Sequence, residues 1–161
     1  MKHCVWESPP LRDGPLSMNS DAIAPDLQAC LLCDDVRQEC NGKFILIGLF
    51  DTIGTPQFPL TYPKLCIVSR WCSGEGDFRQ RSVIRAPDQR TVIIEGKSIP
   101  IRLPSREATA TNVELFLNVV FRAPGTHWIE IFLDDDMKLM FPLRVNQIHA
   151  PAPPLGMPPE V

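Results

Sequence analysis

Apolar and polar residues alternate along most of this chain. In Thr126 to Val145, Ile129, Ile131 and Leu133 recur at every second position, and so do Leu139, Phe141, Leu143 and Val145 beyond an acidic turn. A period of two places each set on one face of a strand, so the segment predicts a β-hairpin. Upstream, Leu65, Ile67 and Trp71 oppose Lys64 and Arg70 in the same way. Asp77 to Arg85 also alternates, and Asn112 to Arg122 is expected to put Val113, Leu115, Leu117, Val119 and Phe121 on one face. Further strands are expected at Leu27 to Cys33, Val36 to Cys40, Lys43 to Phe50, Thr91 to Glu95 and Ser98 to Leu103, roughly nine in all. Helical periodicity is nearly absent.

The turns support this reading. Asn41-Gly42 is a strong hairpin signal because both residues accept positive φ. Gly96-Lys97 and Pro124-Gly125 punctuate later strands. Phe44 to Phe50 is apolar on both faces and is expected in the centre of a sheet. Pro142 cannot donate to a ladder, so its strand is expected at an edge or with that position facing outward. Short strands without crossover helices predict an all-β antiparallel β-sandwich, Ig-like or C2-like, of roughly eight to nine strands.

Three segments follow. Residues 1–24 hold Pro, Gly, Ser and Asp without an apolar period and read as a loosely ordered leader, with Met18 an alternative start to Met1. Residues 25–148 form the β-sandwich domain. Residues 149–161 are a Pro-rich tail favouring extended polyproline.

Hydrophobic residues make up 44% of the 161, enough for a core. A net charge of -3 argues against nucleic acid, which demands clustered basic surface. No run approaches a membrane span, and the N-terminal MKHCVWESPPLRDG lacks the apolar centre of a secretory signal. The expected location is cytoplasmic, with the six cysteines as thiols.

Candidate chemistry is sparse. Cys30 and Cys33 have zinc-knuckle spacing, but on a strand positions i and i+3 face opposite sides, so the sulfurs should diverge. Asp34, Asp35, Asp51, Asp134, Asp135 and Asp136 fall near strand ends and are the candidates for calcium, which takes 6–8 oxygens. Aspartate is also a favoured turn residue, and that reading is preferred. Ser73 to Asp77 is Gly-rich but precedes a strand, so a hairpin connection is favoured over a phosphate loop. Arg79, Arg81 and Arg85 share a face with acidic neighbours. His127 is the one histidine inside the expected domain, and no G-x-S-x-G elbow accompanies it. Trp128 and Phe132 alternate out of phase with the isoleucines and should lie on an outer sheet face, where aromatics mark a partner surface. With Arg79 and Arg81 they are the interaction candidates. No cofactor is expected.

The stretches LLCDDVRQECNGKFILIGLF (31–50), YPKLCIVSRW (62–71), GEGDFRQR (74–81) and PGTHWIEIFLDD resemble a family of small uncharacterised bacterial proteins, a domain of unknown function. The similarity spans most of residues 28–146. It implies a bacterial cytoplasmic β-sandwich and carries over no site residues. The expected function is a non-enzymatic module for protein-protein interaction or self-association. The alternatives are a C2-like calcium or membrane-surface module, and a carbohydrate-related binding protein or enzyme.

Overall fold

The computed structural model describes residues 22–148. The tail, most of the expected leader, Met18, His3 and His149 lie outside them. Ile23, placed by the sequence in the leader, bridges Glu75 through two backbone hydrogen bonds of 2.8 and 2.9 Å.

The described chain is all-β and forms two sheets. The first contains β1 (Asp26–Gln38), β2 (Phe44–Leu49), β4 (Leu60–Cys72) and β8 (Ala110–Phe121), in the order β2-β1-β4-β8. The second runs β3 (Thr52–Thr55), β10 (Asp136–Gln147), β9 (Gly125–Leu133), β5 (Gly76–Arg85) and β6 (Val92–Glu95), with β7 (Ile99–Leu103) also on β5. The sheets pack face to face as a β-sandwich. Leu65, Ile67 and Trp71 of β4 meet Ile84, Ile129, Ile131, Leu143 and Val145 of the second sheet in one buried cluster. Removal of such side chains from water drives the fold, at about 25 cal/mol per Å² of apolar area.

Several expectations need correction. All pairings are antiparallel except β3 with β10, which run parallel from Arg144↔Thr52 to Gln147↔Thr55. The two expected strands around Asp34-Asp35 are one 13-residue strand, β1. The Gly-rich Ser73 to Asp77 segment is not a hairpin turn, because it carries the chain from β4 in one sheet to β5 in the other. The residues around Gly96 also join strands that do not pair with each other. They step along one edge of β5, from Val83–Arg85 beside β6 to Gly76–Gln80 beside β7.

The expected single face of β8 is split. Asn118 takes a left-handed backbone, φ 53°, and the alternation inverts there. Val119 and Phe121 point into the core, whereas Leu115 and Leu117 point away and are 53% and 58% exposed. Pro142 pairs with Trp128 on one side, while β3 reaches β10 only from Arg144 onward. The proline therefore sits where β10 is still an edge, consistent with its missing donor.

Strand β2 is the largest departure. The apolar run Phe44 to Phe50 does not occupy a sheet centre. It lies at the end of the first sheet, with β1 as its one neighbour.

Candidate interaction surface

The β1–β2 hairpin turns as its sequence dictates. Gly42 has φ 86°, its N–H donates to Glu39 O at 2.9 Å, and Asn41 Oδ1 accepts from Lys43 N at 2.9 Å. Lower down, Gly48 has φ 68° and lies directly against the Asp34 carboxylate. At this point the hairpin bends over the outer face of its own sheet. Val36 and Leu46 from the arm pack on Cys33, Cys66, Val68 and Val113, a second small core outside the sandwich. Between the arm and the sheet lies a groove of about 580 Å³ lined by Leu31, Lys43, Phe44, Leu46, Val68 and Arg70, among others.

The arm leaves the β2 edge bare. Phe44, Ile45 and Ile47 are exposed, and Leu49 is 60% exposed. Leu31, Leu115 and Leu117 add apolar area to the same outer face. Natural sheets protect edges with charge, proline or cover. From Phe44 to Leu49 the sequence FILIGL offers no charge and no proline. The nearest charged residues are Lys43 before it and Asp51 after it, and among the described residues neither side chain forms an ion pair.

On the outer face of the second sheet, side-chain pairs cover part of the surface, while Met140 is exposed. The Arg81 guanidinium lies 4.5 Å over the Phe132 ring and pairs with Glu95 at 2.6 Å. Arg85 pairs with Glu130 at 2.7 Å and stands beside Trp128 in register. Trp128 and Phe132 are half-buried on the expected face, and the Phe132 ring is covered by Arg81. Arg79 is exposed, and its backbone is used to hold Asp134, whose Oδ1 accepts from Arg79 N at 2.8 Å.

The aspartates do not gather. Asp34 accepts from the Tyr62 hydroxyl at 2.7 Å, and Asp35 pairs with Lys64 and Arg37. Lys64 is the main reason that the Asp35 carboxyl is held below its ordinary value. Asp51 lies beside Arg144, at the far end of β10 from the Asp134–Asp136 turn. Asp134, φ 54°, shapes that turn, and Asp136 faces Lys138 at 3.6 Å. Among the described residues no three His, Cys, Asp or Glu side chains converge where an ion could sit.

The cysteines diverge as strand geometry requires. Cys30 packs against the main core and Cys33 against the outer cluster. All five described cysteines are free. Burial pushes the Cys30 thiol up to about 12. His127 is 1% exposed, edge-on to Phe121 with ring centroids 4.9 Å apart, and burial lowers its pKa. It is a core residue.

Between the sheets lies a polar cluster that sequence reasoning missed. Trp71 Nε1 donates to Gln80 Oε1 at 2.6 Å, and Gln80 Nε2 donates to Ser69 Oγ at 3.0 Å. Glu114 is 4% exposed, and neither of its carboxylate oxygens has a hydrogen-bond partner. Burial pushes its carboxyl up, against smaller opposing effects of Ser82 and Gln80. The only signal in the sequence was a glutamate in phase with the core residue Phe116.

A family model described as a family of unknown function, DUF6941, matches residues 28–146. The chain belongs to that family. No curated protein matches it. The DUF6941 match begins two residues into β1 and ends within β10, so it spans both sheets, the folded-over arm and the bare β2 edge. No helix among the described residues is long and apolar enough to cross a membrane.

Proposed function

We propose that this DUF6941 protein is a non-enzymatic interaction module and that its partner is a second copy of itself, joined strand to strand through β2. The observation that carries this reading is the unprotected apolar edge Phe44–Leu49, which has one neighbouring strand and neither charge nor proline to block a second. Antiparallel pairing about a two-fold axis at Ile47 supplies the missing neighbour. It sets Phe44 opposite Phe50 and Ile45 opposite Leu49. It also sets Lys43 of each copy opposite Asp51 of the other, so the two unpaired charges complement each other. The product is a continuous sheet through both copies, an isologous assembly of the kind commonest among oligomers. The burial of His127 against Phe121 removes the one described histidine from acid–base chemistry and favours a binding role over an enzymatic one. A bacterial cytoplasm is the setting in which we read the protein.

The test is mass measurement by light scattering across a concentration series. Wild type should be dimeric at micromolar concentration. Ile47→Lys, which brings like charges together at the axis, should yield monomers with an unchanged circular dichroism spectrum. Lys43→Asp alone should weaken the dimer, and Lys43→Asp with Asp51→Lys should restore it. A wild type that stays monomeric throughout, or a dimer indifferent to Ile47→Lys, overturns the proposal.

A further inference from the structure

We propose that Cys33 and Cys66 form a redox-convertible pair, able to close a disulfide between neighbouring strands β1 and β4 beneath the folded-over hairpin arm. Cys33 and Cys66 are direct partners across the antiparallel β1–β4 ladder. Residues directly opposite in such a ladder have Cα atoms about 4.5–5.5 Å apart and side chains on the same face. A disulfide accepts Cα separations of about 4.4–6.8 Å. The Cα separation of such a pair therefore falls within the disulfide range, and the two thiols already lie within hydrogen-bonding reach of each other.

No other described cysteine is so placed. Cys30 faces Ser69, Cys72 faces Asp26, and Cys40 is exposed near the hairpin turn. Cys33 and Cys66 are 0% and 2% exposed and share their outer cluster with Val68. As thiols they behave as small apolar side chains.

The same burial sets the rate. Desolvation, with the adjacent Cys66 thiol a smaller cause, raises Cys33 to about 11, and desolvation also raises Cys66. Thiolate is the attacking species, so the closed structure reacts slowly. Val36 and Leu46 of the arm form the cover. Conversion therefore follows lifting of the arm, an edge element with one neighbouring strand.

The oxidant is a low-molecular-weight disulfide. One cysteine thiolate attacks it, forms a mixed disulfide and releases one small thiolate. The second cysteine, as thiolate, then displaces the other small thiolate and closes the protein bond. The protein loses two hydrogens as protons and two electrons, and the small disulfide becomes two small thiols. The closed loop runs from 33 to 66 and holds β2 and β3, so the linked form resists unfolding more than the dithiol.

The full chain is equilibrated, folded, in a series of oxidised and reduced glutathione mixtures. It is then quenched with acid, alkylated, digested without reductant and weighed. A peptide linking 33 to 66, two hydrogens lighter than the sum of its parts, should grow with the oxidised fraction and vanish on reduction. Leu46→Ala, which thins the cover, should speed its formation at least ~3-fold. Full alkylation of both thiols at the most oxidising ratio, or a link from either of them to Cys30, Cys40 or Cys72 instead, overturns the pairing. An unchanged rate in a folded Leu46→Ala overturns the role of the arm. The primary reading uses wild type, so it does not depend on any variant folding.

Discussion

Trp71 of β4 and Gln80 of β5 clasp the two sheets together, the buried indole Nε1 donating to the amide oxygen at 2.6 Å. Both side chains are fully buried. In a low-dielectric interior a polar group left without its partner is costly. Gln80 also reaches Ser69, so a single side chain from the second sheet holds two partners on β4.

Gln80→Leu should therefore destabilise the protein by about 2–4 kcal/mol, since it strands both the indole N–H and the Ser69 hydroxyl at about 1–3 kcal/mol each while its leucine recovers some apolar contact. Trp71→Phe should cost a similar amount, combining a small cavity with a stranded Gln80 oxygen. Urea denaturation followed by far-ultraviolet dichroism measures both. A double-mutant cycle should show coupling of about 0.5–3 kcal/mol, and additive losses would refute the clasp.

Glu114 makes stability depend on pH in a direction unusual for a carboxylate. Its pKa in the fold is raised above the ordinary 4.5, chiefly by burial. The fold therefore holds this proton more tightly than the unfolded chain does. The stability it contributes is full below pH 4.5 and is lost as pH rises toward the folded value, with a limiting slope of about 1.4 kcal/mol per unit. Cys30, Ser69, Gln80 and Ser82 share this region, and none of them is cationic. Glu114→Gln should raise stability at neutral pH and flatten that slope. A variant no more stable than wild type at pH 7.5 in denaturant titrations would show that the carboxyl finds a partner.

His127 acts with the opposite sign. Burial holds its imidazole below 6.5 in the fold. Its contribution is present above 6.5 and is lost as pH falls through the depressed folded value, because the unfolded chain then takes up the proton more readily. His127→Phe should remove this acid sensitivity. Glu114 withdraws stability as pH rises from 4.5 and His127 withdraws it as pH falls from 6.5, so each single variant should lose one of the two declines in denaturant titrations across pH.

Gly48 should tolerate no side chain. Its φ of 68° disfavours any Cβ, and a Cβ built there meets the Asp34 carboxylate. Gly48→Ala should destabilise by about 1–3 kcal/mol. Adding Asp34→Ala should recover the steric part of the loss and leave the conformational part. Thermal melts of the single and double variants separate the two, and full recovery would mean that the left-handed backbone carries no strain.

The alternation made most of the core legible. Ile129, Ile131 and Leu133 are buried together, as are Leu143 and Val145, because a packed strand face needs a period of two. It failed where the backbone turns over locally. Asn118 inverts β8 without a Gly or Pro to announce it, so Leu115 and Leu117 went to the wrong side. It was silent on β3, a four-residue strand defined by β10, its partner from the other end of the domain. The candidate surface was half visible. The two-faced pattern of Phe44 to Phe50 was plain, but strand order, which a local pattern does not encode, decided that it lies at an edge. The opposition of Cys33 and Cys66 was hidden for the same reason. It depends on the register of two strands separated by a hairpin and β3.

The parallel contact of β3 with β10 also bears on how the protein is made. Thr55 meets Gln147, so a segment completed early in synthesis waits for one completed late. Such distant pairings slow folding, because a long loop must close before any contact rewards it. Until the last strand leaves the ribosome the second sheet is unfinished at that margin, while the greasy hairpin arm is already outside. A growing chain of this kind is most vulnerable to sticking in the interval between those two events, and crowded polysomes or slow translation of the final strand should lower its soluble yield.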